Sequence, residues 1–242
     1  MSDGRLRLSR EGRLLVATID NPPENRLTPG LLDEMGGALD ILLSEMDAAI
    51  LTGTGTSFSY GFDLEVFRRW PDADGARRDL ERGNGLLNRL ARCPKPVIAA
   101  VNGHCFGGGL EVALACHFRL CSEKARLGLP ELSIGLIPGL GGIRRLASLI
   151  GRAKALELVA LGDIVTAQEA LRLGLVNRVF SKNGFSAGVR AFAQALALAD
   201  PALLRETIRL AGLDPGISEE EATDDLIRTF LRFRPGPPDK GS

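Results

Sequence analysis

The sequence has no net charge, few histidines and no cysteine pair at metal-binding spacing. Thirty Lys and Arg residues balance thirty Asp and Glu residues, so composition gives no sign of nucleic acid or an anionic membrane as a partner. The two histidines and four cysteines include no CxxC pair, which argues against a zinc site and predicts reduced, partly buried thiols. We therefore expect no bound metal.

Long apolar runs are also missing. No stretch reaches the roughly eighteen consecutive apolar residues that make a candidate membrane helix, and no apolar segment of a signal peptide follows the polar residues 1–5. These absences predict a cytoplasmic protein without a membrane partner. The 242 residues, 45% of them hydrophobic, suffice for one large domain, or for one domain with a small helical appendage.

Strand-like and helix-like segments alternate along the first 180 residues. Apolar runs predict strands at residues 14–19, 48–53, 97–101, 118–121 and 176–180, and apolar periodicity predicts helices at 29–44, 142–150 and 154–161. Residues 68–92 are charged and helix-prone, and Thr166 with Glu169 forms a capping box. Residues 185–233 are predicted helical, with breaks at 200–201 and 214–216, and residues 234–242 are expected to be disordered.

Glu111 is the only charged side chain in the apolar stretch 97–118, apart from His104 and His117 if they are protonated. It follows a run of three glycines, where a strand-like segment gives way to a helix-like one. A buried carboxylate needs a partner or shifts its pKa, so Glu111 is a candidate for chemistry; pairing with Arg119 or capping a backbone amide is the structural alternative. Glu131, isolated in the same way within residues 127–139, favours the catalytic interpretation.

The glycine-rich turn does not match a phosphate-binding loop. A dinucleotide-binding G-x-G-x-x-G motif ending at Gly108 would need glycine where Cys105 stands, and no Walker-type ending occurs. Instead, the first amides of the helix that starts here have no partner within the helix and would favour an oxyanion, such as a thioester enolate. The turn at residues 59–64 is the best candidate for a second donor. The two histidines are interpreted as core residues.

Three ordered segments carry a resemblance to a known family: LTG with FSYGFDL within residues 51–64, KPVIAAVNG with GGGLE within 95–111, and LPE with GLIPG within 129–139. Together they resemble the enoyl-CoA hydratase/isomerase (crotonase) superfamily, over about residues 14–180. The resemblance implies an α/β fold, a ClpP/crotonase-like ββα spiral at residues 1–184 that carries the active site. A helical trimerisation region would follow at 185–233, and related proteins form trimers or dimers of trimers.

The resemblance also implies a site. The backbone N–H groups of Phe62 and Gly108 would form an oxyanion hole for an acyl-CoA thioester, with Glu111 activating water and Glu131 transferring a proton at the α-carbon. Acyl-CoA is then the substrate, and no separate cofactor is expected. Contacts with the substrate are expected at Arg26, Ser59, Tyr60, Gly61, Asp63, Leu64, Gly107, Pro138 and Gly139.

Three other functions stay open. An isomerase would need only Glu131 as base, a dehydratase or decarboxylase acting on a carrier-bound acyl chain could use the same oxyanion hole, and a non-catalytic relative would need neither glutamate. The chain also departs from the family pattern. Tyr60 and Phe62 are bulky and could narrow the pocket, the C-terminal part is short, and Glu65 replaces a common lysine, with Arg26 and Arg68 as possible replacements for its charge.

Overall fold

Ten strands and ten α-helices occur in the computed structural model, which describes residues 5–68, 70–212 and 218–233. The strands are β1 (Arg5–Glu11), β2 (Leu14–Asp20), β3 (Ala48–Gly53), β4 (Ser57–Ser59), β5 (Val97–Val101), β6 (His104–Phe106), β7 (Phe118–Ser122), β8 (Arg126–Gly128), β9 (Ile164–Thr166) and β10 (Arg178–Phe180). The helices are α1 (Pro29–Glu45), α2 (Leu64–Arg68), α3 (Ala73–Ala91), α4 (Gly108–Ala115), α5 (Gly142–Ile150), α6 (Arg152–Leu161), α7 (Ala167–Arg172), α8 (Phe185–Ala197), α9 (Pro201–Ala211) and α10 (Glu219–Phe233). A short 3-10 helix covers Glu131–Ile134.

The larger sheet has six strands in the order β1-β2-β3-β5-β7-β10, all parallel except for the antiparallel pair β1 and β2. Each of the five strands predicted from the sequence overlaps a strand of this sheet. β5 is buried along its whole length, which explains why its sequence is apolar at every position rather than at alternate ones. β1 was not predicted, because its residues RLRLSRE are mostly exposed and polar at the edge of the sheet.

The smaller sheet positions the candidate site. Its order is β4-β6-β8-β9, and β4, β6 and β8 are parallel neighbours. The carboxyl ends of parallel strands lie along one edge, so the segments that follow these three strands begin side by side. Those segments contain the turn at Gly61, the turn at Gly107, and Glu131.

Two helices begin directly after a threonine N-cap. Thr28 caps α1 by accepting the N–H of Leu31 at 3.2 Å, and Thr166 caps α7 by accepting the N–H of Glu169. α5 has its predicted bounds, whereas α6 begins two residues before the predicted 154. The helix expected within 68–92 begins at Ala73, behind Asp72 as its N-cap.

The C-terminal helices differ in how they pack. α8 contacts the larger sheet through the buried residues Val189 and Ala193, whereas α9 and α10 contain no buried residue. Asp200 caps α9 at the predicted break. The expected break at 214–216 and the tail 234–242 lie outside the described residues. Within the described ranges, no helix is long and apolar enough to cross a membrane.

Candidate active site

Two glycine turns meet at the edge of the smaller sheet. Gly61 and Gly107 have positive φ angles of 89° and 52°, which favour glycine. A Cβ at Gly61 would lie 3.0 Å from the backbone nitrogen of Gly108 and 3.0 Å from the carbonyl oxygen of Phe106. The backbones that carry the two predicted oxyanion-hole residues are therefore in direct contact, and a side chain at Gly61 would separate them.

The backbone around Phe62 is fixed by residues 26 and 27. The N–H of Leu27 donates to the carbonyl of Gly61 at 2.8 Å, and the N–H of Asp63 donates to the carbonyl of Leu27 at 3.0 Å. Arg26 donates to the carbonyl oxygen of Phe62 at 3.3 Å. These bonds on both sides of Phe62 hold its peptide groups in place.

Gly108 is the first residue of α4, so its N–H has no acceptor within that helix. All eight residues of α4 are buried, which places this end of the helix dipole in an environment of low dielectric. The ring of Phe62 packs against the Cα of Gly108, where a Cβ would come within 2.6 Å of the ring. The bulk of Phe62 is thus accommodated by the glycine.

Glu111 is held in α4 by the backbone of a distant turn. Its side-chain oxygen Oε1 accepts the N–H of Leu140 at 2.8 Å and the N–H of Gly142 at 2.9 Å, and the residue is only 2% exposed. Burial raises the pKa of Glu111, whereas the N–H groups of residues 142, 140 and 139 and the charge of Arg145 oppose that rise. Glu111 is therefore a carboxylate that is removed from water but hydrogen-bonded to backbone N–H groups.

Arg119 is not the partner of Glu111. Its buried guanidinium donates to the carbonyl oxygens of Leu175 at 2.9 Å, Cys116 at 2.7 Å and Ala113 at 3.3 Å. Two of these carbonyls belong to the C-terminal end of α4, where a cation also complements the helix dipole. The alternative in which Glu111 pairs with Arg119 is therefore wrong. The other alternative, in which Glu111 accepts backbone N–H groups, agrees with its hydrogen bonds.

Glu131 lacks the anchoring that Glu111 has. It begins the 3-10 helix, and its Oε1 lies 3.1 Å from the position that a Cβ at Gly107 would occupy. Its Oε2 is buried and has no hydrogen-bond partner among the described residues. Burial raises the pKa of Glu131 to about 7, its own backbone amide opposes the rise, and the nearby charge of Glu111 adds to it.

Both glutamates face one cavity of about 430 Å³. Besides Glu111 and Glu131, the predicted site residues that line it are Arg26, Tyr60, Gly61, Phe62, Leu64, Gly107, Gly108 and Gly139. The cavity wall is mostly apolar, and Tyr60 lies edge-on to Phe106 at 5.1 Å between ring centroids. The arrangement places two carboxyl groups and two glycine turns around a space of ligand size.

Ser59, Asp63 and Pro138, which were expected to contact the substrate, do not line this cavity. Ser59 is fully buried and its hydroxyl accepts the N–H of Gly61 at 3.0 Å. Asp63 accepts the N–H of Glu65 at 3.0 Å at the start of α2, and Pro138 is buried.

Sequence reasoning missed the groups that hold Glu111. Leu140 and Gly142 donate backbone N–H groups to Glu111 from 29 and 31 residues away along the chain. No pattern of residues in the sequence predicts such a contact. It also missed Asp79, which lines the cavity and accepts the indole N–H of Trp70 at 2.7 Å.

Neither histidine lines the cavity. The Nδ1 of His117 accepts the N–H of Val97 at 3.0 Å, and burial lowers the pKa of His117 to about 4. His104 packs against the rings of Tyr60 and Phe106. Within residues 5–68, 70–212 and 218–233 no group of three or more His, Cys, Asp or Glu side chains is arranged to hold a metal ion.

Residues 9–210 match the family model described as "Enoyl-CoA hydratase/isomerase". A Bacillus subtilis protein named probable enoyl-CoA hydratase is 45% identical over 166 residues, which cover 67% of this chain and 64% of that protein, just under two thirds of its length. A carnitinyl-CoA dehydratase from Salmonella enteritidis is 39% identical over 213 residues, covering 84% of this chain and 80% of the relative.

The fold is also similar to a solved structure. A Thermobifida fusca protein crystallised in complex with CoA superposes with a TM-score of 0.86 at 28% identity, over 94% of this chain and 91% of that one. The α/β fold expected from the sequence motifs is confirmed by this similarity and by the two sheets. The relatives are enzymes of the hydratase and dehydratase type.

Proposed function

Because the chain belongs to the enoyl-CoA hydratase/isomerase family, we propose that it catalyses the reversible addition of water to a 2-enoyl-CoA thioester. The single observation that carries the proposal is the joint placement of Glu111 and Glu131 on one cavity, beside the turns of Gly61 and Gly107. Hydration needs a base for water, an acid for the α-carbon and donors for the enolate oxygen. The cavity wall offers each of these groups.

The two carboxyl groups have different environments and take different roles. Backbone N–H groups on Glu111 favour its charged form, so it accepts a proton from the water whose oxygen bonds to the β-carbon. Glu131, with a pKa of about 7, holds a proton part of the time at neutral pH and delivers it to the α-carbon. Proton transfer from Glu111 to Glu131 then resets the pair, and the net change is the addition of one water molecule.

The enolate oxygen formed between these steps is stabilised by the backbone N–H groups of Phe62 and Gly108. Their turns are in contact, and the Gly108 amide lies at the start of a buried helix. Preorganised donors of this kind typically contribute about 10²–10³-fold each to the rate. The acyl-CoA is the substrate, and no separate cofactor is required.

Both arginines named as replacements for the missing lysine charge, Arg26 and Arg68, form ion pairs with glutamates. Glu65, which stands in place of a common lysine, is ion-paired with Arg68. Arg26 lines the cavity but is paired with Glu24 at 2.6 Å. Arg26 therefore contributes chiefly by holding the Phe62 carbonyl, and both pairs lower the net charge offered to CoA.

Water elimination is the second candidate function, because a dehydratase is among the relatives and runs the same steps backwards. Isomerisation is less well supported, since it would leave Glu111 without a role. We propose a homotrimer or dimer of trimers as the assembly, which would cover the exposed apolar side chains Leu226, Phe230 and Leu231 of α10.

The test is the loss of ultraviolet absorbance of crotonyl-CoA, with Glu111→Gln and Glu131→Gln as the compared variants. Hydration should be present in the wild type and should fall at least about 10²-fold in either variant. Wild-type protein that leaves crotonyl-CoA unchanged but converts a 3-enoyl-CoA to its 2-enoyl isomer would overturn the hydratase proposal. Turnover of neither substrate would favour the non-catalytic alternative.

A further inference from the structure

Arg145 contacts the turn that holds Glu111. From α5 its Nη1 donates to the carbonyl oxygen of Leu140, and its Nη2 donates to Oδ1 of Asn88 on α3 at 2.9 Å. Gly141 lies beneath the guanidinium with φ of 79°, and a Cβ there would come within 2.9 Å of Nη1. The fork of Arg145 thus joins the turn to a second helix.

Leu140 is held at both of its backbone polar groups. Its N–H donates to Oε1 of Glu111 at 2.8 Å, while its carbonyl accepts from Arg145. Loss of the bond to the carbonyl would free one side of the Leu140 backbone, whose N–H binds the carboxylate. Arg145 and Glu111 therefore both bind the backbone of Leu140, one at its carbonyl and the other at its N–H.

The positive charge of Arg145 also favours the ionised form of Glu111. Arg145 is partly buried, and its positive charge lowers the pKa of Glu111 against the effect of burial. The other ionisable groups nearby are Glu131 on the 3-10 helix, whose pKa the Glu111 charge raises, and Arg144 on α5, which acts on Arg145. Arg145 is the cation that acts on the water-activating carboxylate itself.

We propose that Arg145 is a positioning residue for Glu111: it fixes the Leu140 and Gly142 amides on the carboxylate and keeps that carboxylate available as a base. This inference rests on the proposed function. A purely structural arginine would affect stability alone, whereas this role predicts changes in kcat and in its pH dependence.

The test compares Arg145→Gln with Arg144→Gln, which removes the same charge one residue away. Arg144 is exposed and forms no hydrogen bond to the turn, so it is a matched control. In Arg145→Gln we expect kcat for crotonyl-CoA to fall about 10²-fold, as a misplaced catalytic group typically costs, with KM changed less than about twofold. The acidic limb of the pH–rate profile should move to higher pH.

Two further variants separate geometry from charge. Arg145→Lys keeps the charge but not the fork, so its acidic limb should stay in place while kcat recovers in part. Asn88→Ala removes only the acceptor of Nη2 of Arg145 and should lower kcat severalfold. This variant tests the proposal even if Arg145→Gln does not fold. Values equal to those of Arg144→Gln in kcat and pH profile would overturn the proposal, as would an unchanged Asn88→Ala.

A readout without substrate keeps the two proposals distinguishable. In protein labelled with ¹³C at the glutamate carboxyls, the Glu111 signal is assigned by its absence in Glu111→Gln. Its titration midpoint should be higher in Arg145→Gln than in Arg144→Gln. Equal midpoints would overturn the role of Arg145, whereas a wild type inactive on crotonyl-CoA would overturn the proposed function alone.

Discussion

A Cβ at Gly142 would lie 2.7 Å from Cγ of Glu111 and 2.8 Å from its Oε1. Gly142 is the first residue of α5, and its φ is not positive, so the backbone does not require glycine there. The glycine is therefore explained by the carboxylate packed against it and not by the helix it begins. The contact gives a direct way to disturb Glu111 without changing Glu111.

Gly142→Ala should reduce hydration of crotonyl-CoA by about 10²-fold, because the new methyl group would displace the carboxylate from the Leu140 and Gly142 amides. The measurement is kcat at fixed pH, with the melting temperature recorded in parallel. Gly85→Ala on α3 is the control, since nothing lies within 4 Å of its Cβ position. The control should gain about 0.5–1 kcal/mol of stability at unchanged kcat. Equal kcat in both variants would contradict the steric argument.

Gly61→Ala should lower kcat by about 10²-fold, because its Cβ would push against the backbone nitrogen of Gly108 and open the oxyanion hole. The matched control is Gly55→Ala, which also has a positive φ, of 65°, but no atom within 4 Å of its Cβ position. Both variants bear a similar backbone penalty of about 1–2 kcal/mol. The decrease in kcat of Gly61→Ala beyond that of Gly55→Ala therefore measures the contribution of the oxyanion hole.

Glu131 should make the protein less stable as the pH rises. Its pKa is raised from 4.5 to about 7 in the folded state, so the fold holds this proton more strongly than the unfolded chain does. The resulting stabilisation is complete below about pH 4.5 and is lost as the pH rises through about 7. Urea unfolding across this range should show the wild type losing stability relative to Glu131→Gln. A constant difference between the two proteins would be the contrary result.

Arg119→Met should lower the free energy of unfolding by about 3 kcal/mol, because it removes the guanidinium donor of three buried carbonyl oxygens, of which that of Ala113 keeps the N–H of Cys116. Folded Arg119→Met should keep most of its activity, since Arg119 does not line the cavity. Urea unfolding and kcat measured on the same sample test both statements. Arg144→Met, at an exposed position, should change stability by less than about 0.5 kcal/mol.

Five of the six strands of the larger sheet could be predicted, because each lies in an apolar run that is recognisable by itself. β3 and β5 have their predicted bounds, and both are buried in the centre of the sheet. The family membership predicted from three motifs is confirmed by the match over residues 9–210. Motifs with glycines at turns can be recognised because a positive φ favours glycine, as at Gly61 and Gly107.

The smaller sheet could not be predicted, because β4, β6, β8 and β9 have three residues each and show no periodicity. Its strands are defined only by pairing with one another across long sequence separations. The hydrogen bonds that hold Glu111 could not be predicted for a related reason. Every residue except proline has a backbone N–H, so the identity of Leu140 does not indicate its role. The catalytic assignments of Glu111, Glu131, Phe62 and Gly108 remain predictions that the variants above test.

Every described residue that lines the cavity lies between Arg26 and Leu140, about half of the chain. Laboratory evolution for a new acyl group can therefore confine its direct mutagenesis to one contiguous gene segment. Recombination with a relative after that segment would exchange the C-terminal helices while keeping the cavity wall of the parent.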